Sequence, residues 1–395
     1  MKKWSSTQTT SSKAQSVAEN RAGTLADKEN FMGRTVTKIA LIGAGTMAEY
    51  HLLGFRDAGA DVVGLVDSDP EKGRNFASKW NIAGRCYPTL DALLKMHPEV
   101  QAVSVITPNK FHHPLVMEAL NRNLHVFCEK PPALNAAQMR EMADCAKKNR
   151  KILMFNLNNR ARLDSCHIKE LIRAGEVGRI NSAQATWMRR TGIPGFGGWF
   201  TTKSISGGGP LIDLLHMIDL ALWFMDYPDP EYVLAQTFDD FIHNPEFQGT
   251  WGGIVSNKGT TDVESACHGF VRFKTGQVLT IHNSWAELVK EEDTYVALQG
   301  TKLGVKIRSV NNQNSCELYA QNHGVSSDKN LRFLHDHDMG RTHAPKNFIR
   351  ALNGEEQPLT NAEEAVKLMN LIDAVYLSAS SGKPVRILKN GYETL

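Results

Sequence analysis

The sequence predicts an α/β protein: a doubly wound parallel sheet in the N-terminal part, followed by an α+β part with a largely antiparallel, open sheet. Three observations predict it. From Val36 to Phe155 short apolar, β-branched runs alternate with helical patterns, the rhythm of βαβ units with right-handed crossovers. Beyond Ser182 short alternating strands succeed one another through hairpin turns such as Lys274-Thr275-Gly276, the rhythm of an antiparallel sheet. Finally, 395 residues exceed the size at which one core stops growing, so two domains are expected, over 35–157 and 158–395. Residues 1–34 are polar and without periodicity, and are expected to form a flexible arm.

In order, the first half reads as strand 36–42, helix 47–57, strand 61–66, helices 70–80 and 90–96, strand 100–106, helix 113–121, strand 124–128, helix 135–148 and strand 151–155. A linking helix over 166–174 follows. Strands are then expected over 182–190, 233–239, 265–274, 277–285, 294–299 and 304–307, and helices over 345–352 and 361–380 close the chain.

Composition excludes several classes of function. Apolar residues make up 42% and charged residues 22%, ordinary globular values. The net charge of +3 arises from 45 basic and 42 acidic residues that are well mixed, so neither a nucleic-acid nor a membrane partner is expected. The six cysteines form no CxxC pair, which argues against a zinc or redox centre built on them. The run after Met1-Lys2-Lys3 lacks an apolar h-region and no stretch of about 18 apolar residues exists, so a cytoplasmic location is expected.

Three motifs carry chemistry. Gly43-Ala44-Gly45-Thr46-Met47-Ala48 joins the first strand to the first helix, where small residues let a pyrophosphate approach the free N–H groups of the helix. An acidic residue, Asp67, ends the second strand, 24 positions after Gly43. This is the Rossmann dinucleotide fingerprint, and Asp67 is expected to accept from the adenosine ribose hydroxyls and favour NAD over NADP. Lys72 and Arg74 lie close enough in sequence to weaken that preference. Second, Glu129-Lys130-Pro131-Pro132 ends the 124–128 strand, and Thr107-Pro108-Asn109 ends the strand before it, at the edge where open α/β sheets bind ligands. Third, Gly207-Gly208-Gly209-Pro210 opens a helix on which Leu211, Leu214, Leu215, Ile218, Leu222 and Met225 form one apolar stripe. Asp213 and His216 fall off that stripe, and a carboxylate beside an imidazole suits acid–base work. His335-Asp336-His337-Asp338 lies in an irregular segment and reads as loop polarity, so no metal is expected.

Together these motifs resemble the glucose-fructose oxidoreductase, inositol dehydrogenase and MocA-like (Gfo/Idh/MocA) family of NAD(P)-dependent sugar and cyclitol oxidoreductases, from about Val36 to Leu388. The resemblance implies that Lys130 contacts the reacting hydroxyl, and that His216, oriented by Asp213, takes its proton while hydride passes to NAD. It also places Asn158 and Arg160 beside the crevice. The family spaces its aspartate and histidine as Asp-x-x-x-His, and this chain is one residue shorter. The expected cofactor-facing residues are Gly43, Gly45, Thr46, Met47, Asp67, Thr107, Asn109, Glu129 and Lys130. The substrate side adds Asn158, Arg160, Trp187, Arg189, Trp199, Asp213 and His216, with Arg190, Phe200 and Lys203 nearby in sequence. Aromatic faces there suit a polyhydroxylated ring and equally suit plain packing, while paired arginines suit a carboxylate or phosphate. Three activities stay open: dehydrogenation of a sugar, glycoside or cyclitol, glycoside cleavage through transient oxidation, and sensing of NAD or sugar without turnover. A homodimer or homotetramer is what the resemblance implies for assembly.

Overall fold

The computed structural model describes residues 36–82, 86–252, 259–310, 313–333, 338–389 and 391–395, and the arm expected over 1–34 lies outside them. Apolar runs become β1 (Lys38–Ile42), β2 (Asp61–Val66), β3 (Cys86–Tyr87), β4 (Ala102–Val105), β5 (His125–Cys128) and β6 (Leu153–Phe155). Between them run α1 (Ala48–Asp57), α2 (Pro70–Lys79), α3 (Leu90–Met96), α4 (His112–Asn121) and α5 (Ala136–Asn149). The strands form one sheet in the order β3-β2-β1-β4-β5-β6. Every pairing in it is parallel. Strand order therefore reverses between β1 and β4, where doubly wound sheets open a crevice at their carboxyl ends.

Both faces of this sheet are covered, which is why its strands read as apolar runs rather than as alternation. In β1, Ile39 and Leu41 face one core and Ala40 and Ile42 the other. Helices start where side chains satisfy orphan N–H groups: Asp69 caps α2, Thr89 caps α3 and Asn135 caps α5.

The second half contains α6 (Leu163–Arg173), β7 (Ile180–Met188), α7 (Lys203–Ser206), α8 (Pro210–Asp213), α9 (His216–Phe224), β8 (Pro230–Phe238), β9 (Ala266–Phe273) and β10 (Val278–Ser284). It continues with β11 (Asp293–Gly300), β12 (Gly304–Val310), β13 (Gln313–Asn322), β14 (Val325–Leu331), α10 (His343–Leu352), α11 (Ala362–Ser381), β15 (Val385–Leu388) and β16 (Gly391–Thr394). Its ten strands order as β14-β13-β12-β11-β7-β10-β9-β8-β15-β16. Only β7 and β10 pair in parallel; the rest are antiparallel. Val233, Ala235, Val271, Leu279, Ile281, Val296 and Leu298 point inward to the core shared with α9 and α11.

The last helices return to the first half. Ala344, Phe348 and Ile349 of α10 pack with Leu52 and Phe55 of α1. The backbone N–H of Ala136, at the start of α5, donates to Asp373 of α11 at 2.9 Å. One core thus runs between the two sheets, and the stretch 158–395 does not close on itself.

The single helix expected from Pro210 breaks at Leu214–Leu215 into α8 and α9. A buried side chain sits at the break: Asn283 Nδ2 donates to Leu214 O at 3.3 Å. Asp213 and His216, expected to leave the apolar stripe for a free face, are buried with it. Among the described residues no single helix is long and apolar enough to cross a membrane.

Candidate active site

The turn from β1 to α1 is built for close approach. Gly43 adopts φ 103°, and a Cβ there would lie 2.3 Å from Ile106 O. Asp67, just past β2, braces the turn: Oδ2 accepts from Ala44 N at 2.8 Å and Oδ1 from Asp69 N at 2.9 Å. Unlike α2, α3, α5 and α11, helix α1 starts without a side-chain cap, leaving its first N–H groups for an anion. A cleft of about 680 Å³ opens here, lined by Gly45, Thr46, Met47, Thr107, Asn109, Glu129, Lys130, Trp199, Phe200 and Asp213. Lys72, Phe76, Lys79 and Trp80 of the α2 region line it too; Arg74 does not. Thr107 Oγ1 and Trp80 Nε1 are buried in this wall without a partner. A glycine cradle, an uncapped helix and orphan polar atoms are what a dinucleotide fits.

At the end of β5, Glu129 is committed inward. Its Oε1 receives Asn156 Nδ2 at 2.7 Å and lies 2.8 Å from His51 Nε2, while His51 Nδ1 meets Ser104 Oγ at 2.8 Å. Its Oε2 accepts from Lys130 N at 3.1 Å. Burial pushes the Glu129 carboxyl up, but the His51 hydrogen bond and charge outweigh it and hold it at about 2. Glu129, expected to serve the cofactor, therefore has both oxygens engaged in anchoring the β5 end. His112, between the carbonyls of Thr107 (2.9 Å) and Pro131 (2.8 Å), holds the two strand-end loops together. Lys130 projects from this anchored end.

Lys130 Nζ reaches across to α8, donating to Asp213 Oδ1 at 3.0 Å and Asp213 O at 2.8 Å. Trp285 Nε1 donates to the other oxygen, Oδ2, at 3.0 Å. Burial raises the Asp213 carboxyl, yet Lys130 and then Arg189 bring it below the usual carboxylate range. Asp213 thus orients Lys130, not His216 as expected: with one residue fewer of spacing and the break at Leu214–Leu215 between them, its carboxylate faces Lys130 at the end of β5. His216 Nδ1 is buried with no partner. Burial, then Lys130, lowers the imidazole to about 3, so it is uncharged. It is not among the cleft-lining residues, and its ring lies 6.1 Å from that of Trp187.

The glycine run that positions α8 is held from below. Glu264 accepts from Gly209 N at 3.0 Å and Leu211 N at 3.2 Å, and Tyr376 donates to the same carboxylate at 2.9 Å. Asn109 Nδ2 donates to Ser206 O at 2.7 Å, tying the β4 end to the same run.

Two expected substrate residues serve elsewhere. Arg160 is fully buried, pairing with both oxygens of Asp219 at 2.9 and 2.6 Å and with Glu364 at 2.5 Å. Asn158 donates to Met339 O at 2.7 Å. Neither lines the cleft, because both close the seam between β6, α9 and the C-terminal helices. On the substrate side Trp199 and Phe200 stack at 3.6 Å, and Phe200 meets Trp251 edge-to-face. Arg189 lies 4.3 Å over Trp251 and 5.3 Å from Trp187, and its Nη1 is buried without a partner. Arg190 is exposed. Of the His335-Asp336-His337-Asp338 run, the first three lie outside the described residues, and Asp338 accepts from Gly340 N and Thr342 N.

Sequence reasoning missed His51, Asn156, Trp251 and Trp285. One signal was present for His51: with Ala48, Leu52 and Phe55 it occupies the inward stripe of α1, where a histidine must be satisfied by a buried partner.

Comparison with known proteins agrees with this geometry. The model of the oxidoreductase family's NAD-binding Rossmann fold matches residues 37–157, and that of its C-terminal alpha/beta domain matches residues 169–387. The chain is 31% identical to D-glucoside 3-dehydrogenase of Escherichia coli over 91% of its own length and 100% of the relative. It is 26% identical to 1,5-anhydro-D-fructose reductase of Ensifer adhaerens over 88% and 97%. In fold it is similar to levoglucosan dehydrogenase in complex with NADH and levoglucosan, with a TM-score of 0.76 at 18% identity over 90% of this chain and 100% of that one. The chain therefore belongs to the Gfo/Idh/MocA oxidoreductase family, with an NAD-binding Rossmann half and that family's C-terminal α/β half.

Proposed function

We propose that this oxidoreductase removes hydride from a secondary alcohol of a pyranoside, with a D-glucoside oxidised at C3 as the leading substrate. The observation that carries the reading is the Lys130 ammonium, held in the cleft by Asp213 at the carboxyl end of β5. NAD, when bound, supplies the hydride acceptor. Gly43, Gly45, Thr46 and Met47 would hold its pyrophosphate, Asp67 its ribose, and Thr107 and Asn109 the nicotinamide side. Lys130 then donates to the substrate oxygen and stabilises its alkoxide character as the C–H bond breaks. His216, uncharged but outside the cleft lining in this structure, would take the hydroxyl proton once substrate is bound, leaving a ketone. Trp199, Phe200, Trp187 and Arg189 supply ring faces and a cationic donor for the sugar. The printed names of the relatives, a glucoside dehydrogenase and an anhydrofructose reductase, support the substrate class.

The test is an absorbance screen with NAD across hexoses, glucosides, uronic acids and inositols, with the product analysed. NADH accumulating with an intact 3-keto glucoside is the expected result. Aglycone release without net NADH would replace the reading by cleavage through transient oxidation, and no turnover on any of them would overturn it.

We also propose that a second copy of this chain covers the outer face of the large sheet. Leu234, Phe238 and Phe270 project there from alternate positions of β8 and β9, 47%, 43% and 39% exposed. A dimer or tetramer by light scattering is expected, and a monomer removes the proposal.

A further inference from the structure

The outer face of the large sheet carries a side-chain cluster that hydride chemistry does not use. His268 of β9 and His282 of β10 are directly opposite across an antiparallel pair, with ring centroids 4.1 Å apart and planes 33° from parallel. Glu287, just beyond β10, folds back over them. Its Oε1 lies 2.7 Å from His282 Nε2 and 3.6 Å from His268 Nε2, and the three potential ligand atoms all fall within 4.8 Å of one another. None of the three lines the cleft.

Two imidazoles and a carboxylate from three chain segments converge on one point, with His282 and Glu287 partly buried. A divalent cation there would accept one lone pair from each ring and the charge of the carboxylate.

We propose that His268 Nε2, His282 Nε2 and Glu287 Oε1 bind one zinc ion per chain, beside the patch that the second copy would cover, with the fourth tetrahedral position left to water. Tetrahedral zinc with bonds of about 2.0–2.1 Å spaces its ligand atoms by roughly 3.3 Å, so the observed separations need only small side-chain rotations. Two imidazoles and one carboxylate suit a borderline transition cation, whereas calcium and magnesium want shells of oxygen. The Phe238 ring, edge-to-face on His268 at 5.9 Å, holds that imidazole in place. The site would clamp β9 to the segment after β10, the same segment from which Trp285 reaches Asp213.

The experiment uses tag-free, full-length protein stripped with a chelator and titrated with ZnCl2 at neutral pH by calorimetry, alongside thermal unfolding. One zinc per chain and a zinc-dependent rise in Tm are expected, with neither effect from MgCl2. The double variant His268→Ala/His282→Ala and the single variant Glu287→Gln should lose stoichiometric binding and the Tm response, while NADH binding by fluorescence confirms that they fold. No stoichiometric zinc in the parent, or equal binding by the double variant, overturns the assignment.

Discussion

Lys130 and Asp213 are a pair whose members have different duties. Lys130 Nζ and Trp285 Nε1 engage one carboxylate oxygen each, and Lys130 also donates to Asp213 O, so Asp213 positions the ammonium and leaves its third N–H for a substrate oxygen. Lys130→Ala should therefore lower turnover by about 10²- to 10⁴-fold with NADH affinity nearly unchanged, as read by steady-state rates and fluorescence titration. His216 makes a pH prediction. Its folded pKa of about 3 lies below the ordinary value near 6.5, so the unfolded chain binds a proton that the native one refuses. Stability from this group is full above pH 6.5 and is lost as pH falls from there towards 3. Glu129, depressed to about 2, adds a loss in the same direction that begins only below its ordinary value near 4.5. His216→Gln should lose less stability than the parent between pH 6.5 and 4.5 by urea denaturation, and an equal slope in both would show that His216 is not the neutral buried group described.

At the scale of elements, the break between α8 and α9 decides where the catalytic candidates point. Asn283, on the inner side of β10, takes Leu214 O at 3.3 Å and lies 3.5 Å from Pro210 O. Asn283→Ala should cost about 1–3 kcal/mol by denaturant unfolding, since it strands buried carbonyls. It should also reduce turnover more than Km, because the Asp213 carboxylate and the His216 ring are set by the two sides of the break. A stability loss with unchanged turnover would mean that the break serves packing alone.

Across the whole molecule, Arg160 is the tie between the halves. It leaves the turn after β6, grips Asp219 of α9 and Glu364 of α11, and receives no solvent. Removing a partner of a buried pair strands the other charge, so Arg160→Ala should cost about 3–5 kcal/mol in urea or heat denaturation. Among molecules that remain folded, Km for the sugar should stay the same. A raised Km without lost stability would instead return Arg160 to the substrate side. The same architecture explains why α10 and α11, last in sequence, pack against the first sheet and help shape the platform from which β5 presents Lys130.

Local pattern by itself determined the parallel sheet. Apolar runs spaced by helices and the Gly43-to-Asp67 fingerprint depend on neighbours a few residues apart, so β2 and α3 fall on the expected residues. It also placed Lys130 at a strand end. Strand β3, two residues at the edge of the parallel sheet, and strands β13 to β16 were not expected: β14, Val325–Leu331, is nearly all polar and exposed, and it is a strand because β13 offers it an edge. The site followed the same division. Which residue Asp213 holds, why the helix breaks, and that Arg160 is structural depend on Trp285, Asn283 and Asp219, which lie 72, 69 and 59 positions from their partners. Periodicity reports which face of an element is apolar, but a hydrogen bond between distant elements leaves no period in the chain, and only the tertiary structure decides it.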